Sequence, residues 1–279
     1  LLFINNKELE GFIPIIIIGK KVVSIPHFSY GGYLGLKKLE INQTKLIIDS
    51  LESKYGNDIL IRDFNKITNF YSEDKVSCFL KLEDNFEKQF SNFTSKLRSQ
   101  IRKSEKNGLE VSLSTIDDFF PVYLANMHRL GSPHLSKKFF DKIEKNYKNG
   151  KFKIFVVKKE NVVIGASIVL TFKNFMEVCW AASYIQYNYL APNMLIYWKM
   201  IEYGIDNNMK IFSFGRSTKN SGPLKFKKQW GAEEVQLIWN FNKDKYFSLD
   251  QLKFLSYIWS KLPKPIIEFM GPFFTKYIY

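Results

Sequence analysis

The stretch FKIFVVKKENVVIGASIVLTFKNFMEVCWAA, residues 152–182, decides how this chain folds. Its Val-, Ile- and Phe-rich runs at 152–158, 162–172 and 175–182, the first two joined by a turn at Glu160-Asn161, read as a three-stranded meander. Upstream lie a strand at 109–113, a helix at 117–130 ended by Gly131-Ser132-Pro133, and a second helix at 138–147. Downstream, Pro192 opens a helix over 193–207, and strands at 211–214 and 235–241 complete the pattern. Strand, two helices, three strands, helix, strand, loop and strand make a mixed α/β unit.

The first part of the chain repeats some of that order and lacks its beginning. A hairpin of 1–5 and 9–18 around Asn6-Lys7 leads to a strand at 22–25 and the loop at 26–32. A helix over 43–55, stopped by Gly56-Asn57, precedes strands at 59–61 and 76–82. Between the halves, Phe86, Phe90, Phe93, Leu97 and Ile101 form one apolar stripe, predicting a single helix over 86–106. Its other face carries Lys96, Arg98, Arg102, Lys103 and Lys106 and reads first as a solvated surface. The expected division is 1–85, a connecting helix at 86–108, a second unit at 109–245 and an aromatic, basic tail at 246–279.

Composition bounds the function classes. The chain has 279 residues, 46% of them hydrophobic, so a sizeable core is available and global disorder is excluded. Its first residue is Leu1, already in a strand pattern, which suggests that an N-terminal piece is missing. A net charge of +14 suits a polyanionic partner, although drift of lysine onto solvated faces explains it equally. Cys78 and Cys179 are too few for a disulfide framework and three isolated histidines argue against a zinc site, so no metal is expected. The longest apolar run, 12–18, falls short of the ~20 residues that span a bilayer. A cytoplasmic chain follows, one that touches the inner face of a membrane at most.

The densest chemistry lies at 212–231, FSFGRSTKNSGPLKFKKQWG. A buried strand opens into Gly215-Arg216, followed by the hydroxyls Ser217 and Thr218, then Lys225, Lys227, Lys228 and Trp230. Loops at strand ends are where sites are built, and clustered cations suit a pyrophosphate or a developing oxyanion. For Arg216 a functional role is the favoured reading; Lys225 and Lys228 fit an exposed basic hairpin as well. His27 and Tyr30, in the loop at 26–32, read equally as a packed turn or an acceptor site. His128 fits a satisfied, half-buried ring, and Trp180 and Tyr184 fit core or cleft wall.

The runs GRSTKNSGPLKFKKQWGAE, LRSQIRKSEKNGLEV, HRLGSP, WAASYIQYNYLAPNMLIYW and SIPHFSYGG occur in an order that resembles the Fem-type branch of the GNAT superfamily, closest to its exopolysaccharide-associated members. That resemblance covers residues 1–241. It implies an α/β fold of tandem GNAT-like domains with mixed, mostly antiparallel sheets, the first incomplete at its N-terminus and the two lying side by side. It implies transfer of an aminoacyl or acyl group to an amine of a peptidoglycan or exopolysaccharide precursor, with the donor a co-substrate and no bound cofactor. The family's FK lysine corresponds to Lys227, and Arg216 would orient an acceptor phosphate. Ser183, Asn193 and Ser217 join the expected substrate-binding set.

Lys227, following a core-facing Phe226 at strand spacing, is expected to act through charge and hardly at all through folding. Where acetyl-CoA-dependent relatives carry glycines, this chain has YNYLAP at 187–192, with Pro192 lacking an amide hydrogen. This favours aminoacyl-tRNA as donor. Two alternatives stay open: an acyl-CoA-dependent enzyme acting on a sugar nucleotide, and a non-catalytic module gripping an anionic glycolipid or RNA. DNA is not an expected partner.

Overall fold

The computed structural model describes residues 2–5, 8–36, 41–55, 58–244 and 249–275. Leu1, the turn Asn6-Lys7, the stop Gly56-Asn57 and the tail residues Lys276 and Tyr277 lie outside the described residues. The first half comprises β1 (Leu2–Asn5), β2 (Glu8–Phe12), β3 (Ile15–Ile18), β4 (Lys21–Ser24), β5 (Leu34–Gly35), α1 (Ile41–Tyr55), β6 (Asp58–Asp63) and β7 (Phe70–Lys81). The expected strand at 9–18 is thus two strands, parted at Ile13-Pro14 where proline has no ladder hydrogen to donate.

The single helix expected at 86–106 is two, α2 (Phe86–Asn92) and α3 (Ser95–Lys106). Phe93 is extended (ψ 151), and the Thr94 hydroxyl accepts from the Leu97 amide at 3.3 Å, capping a new helix. The apolar stripe survives the break, because Phe93, Leu97 and Ile101 are buried, while Phe86 is left 42% exposed.

The second half follows the expected order closely: β8 (Leu109–Leu113), α4 (Ile116–Arg129), α5 (Lys137–Asn146), β9 (Lys151–Lys159), β10 (Val162–Phe172), β11 (Phe175–Ser183), a 3-10 turn at Ile185–Leu190, α6 (Pro192–Asp206), β12 (Ile211–Thr218), α7 (Gly222–Lys228) and β13 (Glu233–Phe241). Two tail helices, α8 (Leu249–Lys261) and α9 (Lys264–Thr275), close the chain.

The side-by-side pair of sheets gives way to one ten-stranded sheet in the order β3-β4-β6-β13-β7-β12-β11-β10-β9-β8, beside a small sheet β1-β2-β5. Its pairings are antiparallel apart from β4 with β6 and β11 with β12. Those two parallel pairs are each bridged by a helix, α1 and α6, so the same crossover unit occurs once per half. The halves are sewn by exchange: β13 inserts between β6 and β7 of the first half, and β7 pairs with β12 of the second. Exchange leaves no open edge at the junction, where unpaired backbone would be costly.

Alternation within β9 feeds two layers. Phe155 and Val157 pack with α3 and α6, while Ile154 and Val156 pack with α4 and α5. The tail docks on α4: the His128 ring bonds Ser260 O at 3.1 Å and Ile267 is buried, with Phe254, Phe269 and Phe273 outward. No helix among the described residues is long and apolar enough to cross a membrane.

Candidate functional site

The site arises where β11 and β12 part company. They pair in parallel over residues 175–177 and 211–213 and then diverge. Two irregularities shape the gap. The register of β10 against β11 slips so that Ile168 faces Trp180 and Val169 faces Val178, leaving Cys179 out of the ladder. In β12, Ser213 faces Phe79 and Arg216 faces Ser77, so Phe214 and Gly215 together oppose Cys78. Gly215 adopts φ +69, and a Cβ there would sit 3.1 Å from the Val178 carbonyl oxygen and 3.3 Å from Ser29 Oγ. Only glycine takes that turn at little strain.

The Gly215 bulge is held from behind by Lys227. The segment expected as a strand is the helix α7, started by Ser221, whose hydroxyl accepts from the Leu224 amide at 3.3 Å. The spacing from Leu224 to Lys227 places both on one helical face, and both are buried. Helical rather than strand spacing therefore carries Lys227 inward. Its ammonium donates to Gly215 O at 3.0 Å and Arg216 O at 2.7 Å. Burial lowers its pKa to about 8, with the fields of Cys78 and Glu177 partly opposing the shift.

Lys227 opens onto a cavity of ≈570 Å³ also lined by His27, Lys75, Glu177, Trp180 and Arg216. The Arg216 amide donates to Ser29 Oγ at 3.3 Å, and its guanidinium lies 5.4 Å from the Trp239 ring. A second arginine, the fully buried Arg62, bonds the carbonyls of Ser24, Ile25 and Phe28 and so shapes the loop that carries His27. His27 has φ +71, uncommon for a residue other than glycine, and its ring meets Phe139 edge-on. Burial, then the charges of Arg62 and Arg216, lower its pKa to about 4, so the ring is neutral at pH 7. Among the described residues no group of three His, Cys, Asp or Glu could hold a metal ion.

The remaining expected residues scatter. Tyr30 lines an adjoining chamber, with its hydroxyl pKa raised by burial and then by Glu177 and Cys179. Asn193 donates to Ser183 Oγ at 3.3 Å at the end of β11, and neither they nor Tyr184 line either cavity. Ser217 is buried off the cavity, and Trp230 is core, edge-on to Phe93 at 5.6 Å. Lys225 is exposed, and Lys228 is exposed and paired with Glu234. Helix geometry explains the separation of the three lysines: neighbours on α7 point in different directions.

Sequence reading missed Glu177. Its Oε1 accepts from Ser29 Oγ at 2.6 Å, and the residue lines both cavities. Burial raises its pKa, against the hydroxyl bonds of Ser29 and Ser213 and the fields of Lys227 and Arg216. A lone carboxylate inside the apolar run FMEVCW was the available signal.

At the turn before α6, the amides of Tyr187, Ala191 and Met194 donate to the carbonyls of Tyr184, Asn188 and Ala191. Those donors are occupied within the turn, and Pro192 has none to offer.

Residues 91–228, which hold Glu177, Arg216 and Lys227, match the Acetyltransferase (GNAT) domain family. Over 127 residues the chain is 25% identical to the UDP-N-acetylmuramoylpentapeptide-lysine N(6)-alanyltransferase of Weissella viridescens, covering 44% of this chain and 38% of that protein. The chain thus spans little more than a third of the length of the curated relative it matches. The crystal structure of FemX superposes with a TM-score of 0.58 at 13% identity, covering 91% of this chain and 89% of that one. For L-PGS from Bacillus licheniformis the values are 0.58, 10%, 94% and 89%. A tandem GNAT protein from the clavulanic acid biosynthesis pathway gives 0.56 at 6% identity, over 88% and 82% of the two chains. Residues 91–228 thus carry a GNAT-type domain, and the chain shares the fold of FemX and of the tandem GNAT protein.

Proposed function

We propose that this chain transfers an aminoacyl group from aminoacyl-tRNA to an amine of a cell-envelope precursor, a sugar nucleotide or a lipid-linked saccharide. The observation that carries this reading is the buried Lys227 ammonium, fixed on the carbonyls of Gly215 and Arg216 at the wall of the cleft. An ammonium has three donors, two of which are used here, leaving one for an oxyanion. The acceptor amine attacks the ester carbonyl, a C–N bond forms, and negative charge develops on the carbonyl oxygen facing Lys227. Collapse breaks the C–O bond, and the proton lost by the amine ends on the departing ribose hydroxyl.

Lys75 and Arg216, lining the same cavity as Lys227, suit the phosphates of a diphosphate-linked acceptor. Occupied amides at the turn before α6 disfavour a pyrophosphate cradle there and so support tRNA over acyl-CoA. The relative's name specifies alanyl transfer onto a muramoylpentapeptide lysine, which indicates the kind of acceptor. The exposed aromatics of α8 and α9 fit peripheral contact at the inner face of the membrane.

The test incubates the chain with charged tRNAs and UDP-N-acetylmuramoylpentapeptide, reading mass gain on the acceptor. Appearance of an aminoacylated product that Lys227→Met abolishes supports the reading. Acetylation from acetyl-CoA at a higher rate, or binding of glycolipid or RNA without turnover, overturns it.

A further inference from the structure

Beside the cationic cleft lies a second chamber of ≈600 Å³, with which it shares Phe28, Ser29, Glu177 and Cys179. Six rings line it: Phe28, Tyr30, Phe139, Tyr147, Phe172 and Phe175. Its size is that of a small-molecule site, mostly apolar with a few convergent polar groups. Glu177 supplies the acidic group, and its company is unusual. The partners of this carboxyl are the hydroxyls of Ser29 and Ser213, and among the described residues no cation forms a salt bridge with it. Lys227 is engaged by two backbone carbonyls, and Arg216 reaches towards Phe28 O at 3.5 Å. An acid drawn from water without an ion pair is costly, and a cation arriving with a ligand offsets that cost.

We propose that this chamber holds the side chain of the transferred residue: it takes an aromatic aminoacyl group whose free α-ammonium sits on Glu177. The inference rests on the aminoacyl-transfer reading and narrows it. A donor with its carbonyl at Lys227 has its ammonium one carbon away, at the Glu177 boundary, and its side chain enters the ring-lined space. Aromatic walls favour an aromatic guest, since edge-to-face ring pairs add to what burial alone contributes. A methyl side chain would leave most of the chamber empty. Burial holds the Glu177 pKa up, and an ammonium beside it favours the ionised form.

The test titrates the full chain by ligand-observed NMR with L-phenylalaninamide, L-alaninamide, N-acetyl-L-phenylalaninamide and 1,5-diaminopentane. Phenylalaninamide is expected to bind about tenfold or more tightly than alaninamide, as burial of a Phe side chain implies. The acetylated amide, having no cation, should lose about as much. Glu177→Gln should weaken phenylalaninamide to the level of its acetylated form. Ile143→Trp, on α5 at the chamber wall, should block phenylalaninamide and spare alaninamide. If Glu177→Gln does not fold, the Ile143→Trp comparison still decides. Equal binding of the two amides, or tighter binding of diaminopentane as a mimic of an acceptor lysine side chain, overturns the proposal. A parallel transfer assay with Phe-tRNA and Ala-tRNA separates the two readings. Preference for alanine refutes the subsite and keeps transfer, whereas phenylalaninamide binding without any transfer refutes the transfer and keeps the subsite.

Discussion

The structural role of Lys227 and the chemical role proposed for it predict opposite responses to pH. Lys227→Met leaves the carbonyls of Gly215 and Arg216 without their donor, so stability should fall by about 1–3 kcal/mol rather than stay unchanged. Turnover should fall further, roughly 10²-fold or more, at temperatures where the variant remains folded. With its folded pKa lowered to about 8, the ammonium is lost as pH rises, so kcat/KM should decline above about 8. Stability moves the other way. Between about 8 and the ordinary 10.5 the unfolded chain binds the extra proton, so folding becomes more favourable as pH rises through that window. Rate profiles and denaturant midpoints across pH 7–11 check both signs. His27 gives an acidic counterpart. Its folded pKa of about 4 lies below the free value of 6.5, so stability should drop as pH falls from 6.5 towards 4. His27→Asn, which tolerates φ +71, should flatten that slope in melting experiments.

At the scale of elements, the gap between β11 and β12 depends on the Gly215 bulge. Gly215→Ala places a Cβ against the Val178 carbonyl in a left-handed conformation, and should destabilise the chain by about 1–3 kcal/mol. Because the same carbonyls hold Lys227, turnover should fall with it; a loss of stability with full activity would show that the bulge does not position the lysine. A second element rests on Thr94, which starts α3 where the apolar stripe alone predicted continuity. Removing its cap in Thr94→Ala should lower stability by about 1 kcal/mol, measured by urea denaturation, and leave turnover unchanged.

The whole molecule is governed by the exchange of β7 and β13. Each half of the sheet borrows a strand from the other end of the chain, so neither half has a complete sheet alone. Unfolding should therefore be one cooperative transition, with fluorescence and far-UV dichroism coincident. Residues 1–108 and 109–279 expressed separately should remain unfolded and regain the native spectrum only when mixed. Two resolved transitions, or a stable 109–279 fragment, would contradict this account. The same exchange joins the loop carrying His27 and Ser29 to the strands carrying Glu177 and Arg216, so the cleft draws on both halves.

Local order determined what the sequence made legible. The meander at 152–182, the helices α4, α5 and α6, and Lys227 and Arg216 as cleft residues follow from periodicity, turn chemistry and the run at 215–233 that resembles Fem-type proteins, all encoded within short stretches. Three things were decided only by the folded structure. Whether 222–228 is strand or helix was decided by Ser221 capping and by burial of Leu224, and that choice sent Lys225 and Lys228 outward. Glu177 became conspicuous only when Ser29, 148 positions away, reached its carboxyl and two cavities opened on either side. One sheet replaced two because β13 found a partner on each side in the first half of the chain, a pairing between segments more than 150 residues apart that no local pattern records.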